Sequence, residues 1–325
     1  MTTQARHFGV VGAGVIGLST AVLAQRRGHS VTLYADSLPL ETTSAKAAAS
    51  FKPHEVVQND LAQTMLTRAW SYFAELADGP GRQCGVWRHT HWEASSSPLP
   101  DERYLSVMEN LEAVEWPNVP GGYRYGRRYT TFFIDTPVYL PWLYEELRRG
   151  GGQLVHLPRR FDNLNELSQL PHDVIFNCTG LGSRLLCNDL SLYAIKGQIA
   201  IVGPRPEMDW SISADGFYVY PRSRDTVVGG TAEHHVYTET NDWIALSLLT
   251  RASRRILPDL TEASIVRSAA GLRPYRAASI RVETEAVGDR RIVHQYGHGG
   301  AGITLSWGSA DVALELAVGE VSGRP

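Results

Sequence analysis

The feature that most constrains this chain is a glycine-rich turn near its start, Gly12-Ala13-Gly14-Val15-Ile16-Gly17. It follows an apolar strand over residues 7–11 and opens a helical stretch that ends before Gly28, after which residues 30–35 form a second strand. In such a unit the glycines allow a tight turn, close approach of the backbone to a pyrophosphate, and close packing of helix on strand. The turn therefore predicts a dinucleotide-binding domain built on a parallel sheet.

Two further features of this unit bear on the choice of dinucleotide. Asp36 ends the second strand, where a carboxylate can accept hydrogen bonds from a ribose. Residues 40–50 are small and rich in hydroxyl groups, so a cofactor could lie along them, although an ordinary loop would look the same. The turn alone does not separate FAD from NAD, whereas its N-terminal placement and the hydroxyl-rich segment favour FAD.

A second glycine-rich turn lies near the other end of the chain, at residues 297–302. It follows a strand over residues 292–295, and we expect it to lead to a helix over residues 310–316. A helix N-terminus aimed at the far end of a long cofactor would stabilise the negative charge of a reduced flavin. A close-packed turn without a ligand would have the same pattern, so the residues alone leave both readings open.

The stretches between the two turns alternate in character. Helices are expected at residues 61–77 and 137–149, a loop at about 78–100, and strands at 124–133, 153–156, 173–180, 197–202, 217–220 and 225–230. This alternation predicts an α/β protein with a Rossmann-like FAD-binding domain, interleaved with an α+β substrate domain that contains a mixed, largely antiparallel sheet. The expected division gives residues 1–55, 135–195 and 285–325 to the first domain, and residues 56–134 and 196–284 to the second.

Composition excludes several classes of function. A formal net charge of -3 over 325 residues gives no electrostatic support for a nucleic-acid or anionic-membrane partner. Hydrophobic residues make up 43% and charged residues 20%, which is typical of a soluble globular protein, and no apolar run is long enough to span a membrane. The three cysteines lack metal-ligand spacing and a secretory signal is absent, so we expect no metal and a cytoplasmic location.

Several motifs, in their order along the chain, resemble the D-amino-acid oxidase and D-aspartate oxidase family. The resemblance runs over nearly the full length, through GAGVIGLSTA, YADSLPLETT, the Ala-rich segment that ends Phe51-Lys52-Pro53, DVIFNCTG, KGQI, YVYP with VVGGT, GLRPYR and YGHGGAGITLSWG. It implies noncovalent FAD, held by two groups of residues. The N-terminal group is Gly12 to Gly17, Asp36, Ser37, Thr42, Thr43, Ser44, Ala48, Ala49 and Ser50, and the later group is Thr179, Gly299, Gly300, Ala301, Gly302, Ile303 and Thr304.

The resemblance also implies a substrate site for a free amino acid. Arg273 would grip the substrate carboxylate, for which a guanidinium is suited, and the Tyr218 hydroxyl would share it. The carbonyl of Gly300 would accept a hydrogen bond from the substrate amine. Lys52, in the implied substrate site, stands where relatives carry a neutral side chain. If Lys52 and His54 face the pocket, they favour a substrate with a second acidic or polar group, and otherwise they are solvated loop residues.

The implied reaction is oxidative deamination of a D-amino acid. Hydride passes from the α-carbon to flavin N5, the imino acid hydrolyses to a 2-oxo acid and ammonia, and O₂ reoxidises the flavin with release of H₂O₂. Alignment of the C–H bond and a deprotonated amine suffice, so no acid–base residue is expected. The partners are then a small amino acid and O₂, and a homodimer stays open.

Departures from the family leave three alternatives open. Ala49 and Ser50 replace a glycine and an aliphatic residue beside the flavin, and Ala232 stands where aspartate-specific relatives have an arginine. The stretch between Trp210 and Phe217 is too short for the active-site lid of vertebrate members. The alternatives are a flavin amine oxidase acting on glycine, a secondary amine or a biosynthetic intermediate; an NAD-dependent dehydrogenase; and a catalytically degenerate FAD-binding homologue.

Overall fold

Two β-sheets organise the chain, and each recruits strands from separated parts of the sequence. The computed structural model describes residues 4–319. The strands are β1 (His7–Val11), β2 (Ser30–Ala35), β3 (Val86–Ser95), β4 (Glu109–Glu115), β5 (Tyr125–Ile134), β6 (Gln153–His156), β7 (Val174–Asn177), β8 (Leu192–Val202), β9 (Trp210–Ala214), β10 (Phe217–Pro221), β11 (Thr226–Gly229), β12 (Glu233–His234), β13 (Ile265–Arg276), β14 (Arg281–Val287) and β15 (Arg290–Tyr296). The helices are α1 (Val15–Arg26), α2 (Asp60–Asp78), α3 (Thr136–Arg149), α4 (Leu164–Leu167), α5 (Ser183–Leu186), α6 (Trp243–Ser253) and α7 (Gly302–Val318).

The first sheet has six strands in the order β14-β15-β7-β1-β2-β6. All neighbours are parallel except β14 and β15, which form an antiparallel hairpin at one edge. Helices α1, α3 and α7 pack around it, and residues such as Phe8, Val10 and Leu18 are fully buried. Burial of this kind is typical of parallel strands, whose crossover helices cover the faces of the sheet.

The second sheet has nine strands, of which eight run in the order β12-β8-β11-β10-β9-β3-β5-β4, and β13 pairs along β8. Its pairs are antiparallel except β3 with β9. The predicted α/β class, with a mixed and largely antiparallel second sheet, is therefore confirmed. The domain boundaries stay a prediction; β14, a strand of the first sheet, spans the predicted boundary at 284/285.

Three expectations about elements were wrong, and each has a physical reason. The expected loop at 78–100 contains β3, whose buried face carries polar side chains that disguise the strand. The last helix begins at Gly302 rather than residue 310, because tertiary packing buries a glycine-rich first turn that has poor helix propensity. Strand β13 was predicted only as extended backbone at Arg273, before Pro274, because Gly271 and Pro274 usually interrupt strands.

The expected absence of a long insertion between β9 and β10 agrees with the structure. Only Asp215 and Gly216 join the two antiparallel strands, and Gly216 has a φ of +82°. Two-residue hairpins favour glycine because their backbone requires positive φ. Among residues 4–319, no helix is long and apolar enough to cross a membrane.

Candidate active site

One long cavity of about 1730 Å³ is lined by residues of both sheets. Its wall includes the residues that follow β1, β2 and β7, the first turn of α7, and residues of β8, β10 and β13. Pockets for drug-sized ligands occupy about 300–1,000 Å³. The cavity therefore has room for a ligand much larger than one amino acid.

The glycine turn after β1 forms the part of the cavity wall here called the dinucleotide end. Gly12 has a φ of +111°, and a Cβ there would lie 2.4 Å from the carbonyl oxygen of Cys178. A Cβ at Gly17 would lie 1.9 Å from the carbonyl oxygen of Gly12, so this third glycine brings helix α1 against the turn. Helix α1 has no side-chain N-cap, and the Val15 N–H donates to Ser44 Oγ over 3.0 Å. An open helix N-terminus of this kind suits a phosphate group.

Asp36 lies at the end of β2, in the cavity wall. Its Oδ2 accepts a hydrogen bond from Arg160 Nε over 2.8 Å. The Arg160 side chain is 74% exposed, so the pair contributes at most about 1 kcal/mol and can rearrange easily. A ribose hydroxyl could therefore share this carboxylate.

Most residues expected to contact the cofactor line the same cavity. Those in its wall are Gly12, Ala13, Gly14, Val15, Ile16, Asp36, Ser37, Thr42, Thr43, Ser44, Ala48, Ala49, Ser50, Thr179, Gly299, Gly300, Gly302, Ile303 and Thr304. Gly17 and Ala301 lie behind the wall, where they pack rather than face the cavity. The cavity thus brings together segments that are nearly three hundred residues apart.

The second glycine turn approaches the backbone of residue 55. A Cβ at Gly299 would lie 1.7 Å from the Glu55 carbonyl oxygen, which also accepts the Gly300 N–H over 3.2 Å. Because α7 begins directly after this turn, its N-terminus lies in the cavity wall. His298 is buried and contacts Ser309 Oγ over 2.9 Å, and burial lowers its pKa to about 3. The His298 imidazole is therefore neutral at pH 7.

Arg273 lies on β13, in the part of the cavity wall that the second sheet provides, here called the amino-acid end. Its Nη1 donates to the Thr231 carbonyl oxygen over 2.9 Å. A Cβ on Gly197, in the paired strand β8, would lie 2.2 Å from Arg273 Nη2. The guanidinium consequently lies flat on bare backbone, with room for a carboxylate on its cavity side.

Tyr218, on β10, lies beside a similar gap. A Cβ on Gly229 would lie 2.4 Å from the Tyr218 hydroxyl oxygen, and Gly230 is almost as close. The ring stacks on Tyr220, with centroids 4.6 Å apart. Burial raises the pKa of Tyr218 while the Arg273 charge lowers it, and the net effect is upward. The hydroxyl therefore stays protonated at neutral pH and can donate.

Lys52 and His54 both line the cavity, rather than forming a loop directed away from it. The Lys52 Nζ lies 2.9 Å from Glu93 Oε1. The His54 side chain is 53% exposed, and its partial burial, the Arg273 charge and the Lys52 charge lower its pKa, so this imidazole is neutral at pH 7. Ala232 also lines the cavity and contributes no charge.

Two groups of cavity residues were not predicted from the sequence. Arg160 and Phe161 follow β6 and lie at the dinucleotide end, and Glu93 lies at the amino-acid end. Arg160 and Phe161 could have been predicted, because ligands bind beyond the carboxyl ends of parallel strands. Glu93 offered one signal, its alternation with His89 and His91 on a buried strand face, and that signal was hidden by the expectation of a loop.

The geometry fits FAD. The glycine turn leaves space that any Cβ would fill, two helix N-termini line the cavity, and its volume exceeds that of a mononucleotide-sized site. An NAD-binding chain would use the first turn and leave the second without a role.

Comparisons with known proteins agree with this geometry. Residues 7–316 match the family model described as FAD dependent oxidoreductase, named DAO. The chain is 32% identical to a D-amino-acid oxidase of Streptomyces coelicolor, over 95% of each chain, and 34% identical to one of Rubrobacter xylanophilus, over 95% of this chain and 94% of that one. The fold is similar to that of glycine oxidase from Geobacillus kaustophilus, with a TM-score of 0.78 at 17% identity, over 96% of this chain and 95% of that one. The chain therefore belongs to the D-amino-acid oxidase family of FAD dependent oxidoreductases.

Proposed function

We propose that this chain catalyses the FAD-dependent oxidative deamination of D-amino acids. One observation carries the proposal: Arg273 and Tyr218 both line the cavity and lie against bare glycine backbone of the second sheet. This arrangement suits a free α-amino acid, because its carboxylate needs a cation and a hydroxyl donor side by side. The D-amino-acid oxidases at 32% and 34% identity support the same substrate class.

The role proposed for Arg273 and Tyr218 is to anchor and orient the substrate. Charge-assisted hydrogen bonds to a guanidinium are short and directional, and a bidentate pair fixes the carboxylate plane. The Tyr218 hydroxyl would add a third donor. With the carboxylate held at two points, the α-carbon has a fixed position relative to the rest of the cavity, which lowers the barrier by orientation rather than by acid–base chemistry.

The amine would be held by backbone. The Gly300 carbonyl is proposed to accept a hydrogen bond from it, since the Gly300 N–H is already bonded to Glu55. His54 is uncharged at neutral pH and so does not repel a cationic amine. Loss of the amine proton before oxidation leaves the nitrogen lone pair available to form the imine.

Bound FAD supplies a two-electron acceptor that O₂ reoxidises. The overall reaction converts one amino acid, one O₂ and one water into a 2-oxo acid, ammonia and H₂O₂. The FAD-contacting roles given above for the residues of the dinucleotide end belong to this proposal.

The experiment is to purify the protein, record its visible spectrum, and follow flavin bleaching without oxygen against matched D- and L-amino acids. We expect bleaching by D-enantiomers and H₂O₂ production in air. Arg273→Ala should lower kcat/KM by the factor that corresponds to about 1.5–3 kcal/mol, the free energy of a charge-assisted hydrogen bond. FAD should be retained. Arg267→Ala is the matched control, because Arg267 lies on the same strand, is exposed, and pairs with Asp225.

The same panel distinguishes the alternatives. Faster turnover of glycine or a secondary amine than of any D-amino acid would indicate a related amine oxidase. A yellow protein that no amino acid bleaches would indicate a degenerate FAD-binding homologue. A normal kcat/KM in Arg273→Ala would overturn its assignment.

Three expectations from the sequence also remain proposals: the two-domain division, a cytoplasmic location and a homodimer. Limited proteolysis, localisation of a tagged chain, and sedimentation of the purified protein test them in turn.

A further inference from the structure

A buried charge cluster, here called the Glu93 cluster, lies in the wall of the amino-acid end. It comprises Glu93, Lys52, Arg127, Tyr104 and Tyr129. The Glu93 side chain is 5% exposed. Its Oε1 accepts from the Tyr104 and Tyr129 hydroxyls over 2.5 and 2.6 Å and lies 2.9 Å from Lys52 Nζ, and its Oε2 accepts from Arg127 Nε over 2.7 Å.

The cluster carries an excess of positive charge. Burial raises the pKa of Glu93, but the Lys52 charge and the hydrogen bonds outweigh burial and hold the pKa well below its usual value, so the carboxyl is ionised. Burial and the Glu93 charge raise the pKa of Tyr104, so this phenol is neutral. Two cations, Lys52 and Arg127, therefore face one carboxylate, and the cluster keeps one unit of positive charge.

The two cations differ in what they can reach. Arg127 is buried, and its remaining donors are used by the Pro100 carbonyl at 2.6 Å and the Tyr104 oxygen at 3.2 Å. Lys52 lines the cavity, and among residues 4–319 Glu93 is the one carboxylate within ion-pair distance of its Nζ. An ammonium has three donors, so the excess charge is available from the cavity through Lys52.

Among residues 4–319, the other carboxylates near this end lie outside ion-pair distance of Lys52 Nζ. Glu239 is neutralised by Lys46 at 2.5 Å, while Asp215 accepts from the Ser96 N–H over 3.1 Å and Glu55 lies 4.0 Å from the imidazoles of His54 and His234. Lys52 and Arg273 are both near His54, whose pKa they both lower. The amino-acid end thus presents the Lys52 and Arg273 cations near one neutral imidazole, and Asp215 and Glu55 keep their negative charge without pairing with Lys52.

We propose that Lys52 determines side-chain specificity by binding a second carboxylate, and that the preferred substrates are D-amino acids with an anionic side chain. This inference rests on the proposed function, in which Arg273 holds the first carboxylate. Glu93 and Arg127 are positioning residues: Glu93 holds the ammonium in the cavity wall, and Arg127 offsets the Glu93 charge so that Lys52 can pair again.

A cationic side chain is disfavoured by the same geometry. Both Glu93 oxygens are already occupied, and the side chain is almost entirely covered. A lysine-like substrate would therefore meet the Lys52 ammonium rather than the Glu93 carboxylate. The site discriminates by charge repulsion as well as by attraction.

The test compares D-glutamate with D-glutamine, which have the same shape and differ in side-chain charge. In the wild-type holoenzyme we expect kcat/KM to be about 10- to 100-fold higher for D-glutamate, the factor that one charge-assisted hydrogen bond provides. Lys52→Met should remove that preference, so that the ratio of kcat/KM for D-glutamate to that for D-glutamine falls to about 1. Glu93 stays paired with Arg127 in this variant, so folding should be retained.

Lys46→Met is the matched control. Lys46 is also a cavity lysine, so the change in net charge is the same, but it pairs with Glu239 instead of the Glu93 cluster. The ratio of D-glutamate to D-glutamine turnover should stay at its wild-type value. A ratio that falls equally in both variants would show a general field effect and would overturn the assignment to Lys52.

Arg127→Gln tests the positioning role. We expect KM for D-glutamate to rise with kcat unchanged and KM for D-glutamine unaltered, and Arg127→Lys should restore the wild-type KM. A purely structural role would move both substrates together and would overturn the role given to Arg127.

A binding measurement separates this inference from the proposed function. Titration of the flavin spectrum with glutarate and with butyrate should show tighter binding of the dicarboxylate, and Lys52→Met should abolish the difference. If no D-amino acid bleaches the flavin, the proposed function fails, while the titration still reports on Lys52. Equal wild-type turnover of D-glutamate and D-glutamine, or equal binding of the two carboxylates, would overturn the inference alone.

Discussion

The two ends of the cavity have walls of different kinds. At the dinucleotide end the wall is backbone, small side chains and helix N-termini, with Gly12 and Gly17 in contacts that no other residue could make. At the amino-acid end the wall is made by long charged and aromatic side chains, Arg273, Tyr218 and Lys52, that extend across the second sheet. The first end is thus shaped by the absence of side chains, and the second by their presence.

This difference predicts different failures. Backbone recognition is inseparable from the fold, so changes at the dinucleotide end should cost stability and cofactor together. Side-chain recognition is carried by groups that can be removed singly, so changes at the amino-acid end should alter substrate affinity and leave the fold intact. Four measurements test this difference between the two ends of the cavity.

The largest effect is expected for Gly17→Ala. The added Cβ would lie 1.9 Å from the Gly12 carbonyl oxygen, and neither backbone segment can move without opening the turn. We expect about 3 kcal/mol or more of lost unfolding free energy, at the upper end of overpacking costs, together with loss of FAD. Gly203→Ala is the control, because nothing lies within 4 Å of its Cβ position. If Gly17→Ala retained FAD, a change at the dinucleotide end would not cost stability and cofactor together, and the contrast would be wrong.

Gly197→Ala should affect only substrate affinity. Its Cβ would displace the Arg273 guanidinium, whose Nη2 lies 2.2 Å away. We expect kcat/KM for D-amino acids to fall about 30-fold, or about 2 kcal/mol, as one charge-assisted hydrogen bond is lost. FAD content and the melting temperature should stay near wild type. A variant that loses FAD as well would mean that the amino-acid end also supports the fold.

Acid should destabilise the two sheets alike, because a neutral buried histidine packs at each. Burial lowers the pKa of His298, which follows β15 of the first sheet, to about 3, and that of His89, on β3 of the second sheet, to about 3. Well above pH 6.5 both histidines are neutral whether the chain is folded or unfolded. As the pH falls only the unfolded chain binds the proton, so between pH 7.0 and 5.5 each histidine should cost about 1.3 kcal/mol of unfolding free energy.

Urea unfolding at pH 7.0 and 5.5 measures this loss. His298→Gln and His89→Gln should each reduce it by about 1.3 kcal/mol. If only one of the two variants becomes less sensitive to acid, the two sheets do not share this acid sensitivity.

The smallest effect is expected for Arg160→Gln. Its ion pair with Asp36 is exposed to solvent, and such pairs contribute about 1 kcal/mol or less. We expect an unchanged melting temperature and an FAD dissociation constant within about fivefold of wild type, the factor that corresponds to 1 kcal/mol. Asp36→Asn should weaken FAD binding more, because Asp36 is the proposed ribose acceptor. The reverse order would make Arg160 the ligand.

The elements of the dinucleotide end were easier to predict from the sequence than those of the amino-acid end. Strands β1 and β2 and the turn between β1 and α1 were predicted to the residue, since a glycine turn, its flanking strand and its helix are local features. Strand β3 was missed, because His89, His91 and Glu93 on its buried face make it look like a polar loop. Their burial is satisfied by hydrogen bonds to β5 and β9, which no local pattern reveals.

Short sequence motifs indicate the family, the dinucleotide turn and the arginine proposed to bind the carboxylate, because the steric and chemical demands of these motifs are local. The tertiary structure alone decided that Lys52 faces the cavity and that Arg127 offsets Glu93. Charges and hydrogen-bond partners act through space, and these partners come from strands and loops up to 75 residues apart along the chain. The glycine turn therefore predicts that a dinucleotide binds, and the folded cavity supports the proposal for which amino acids are oxidised.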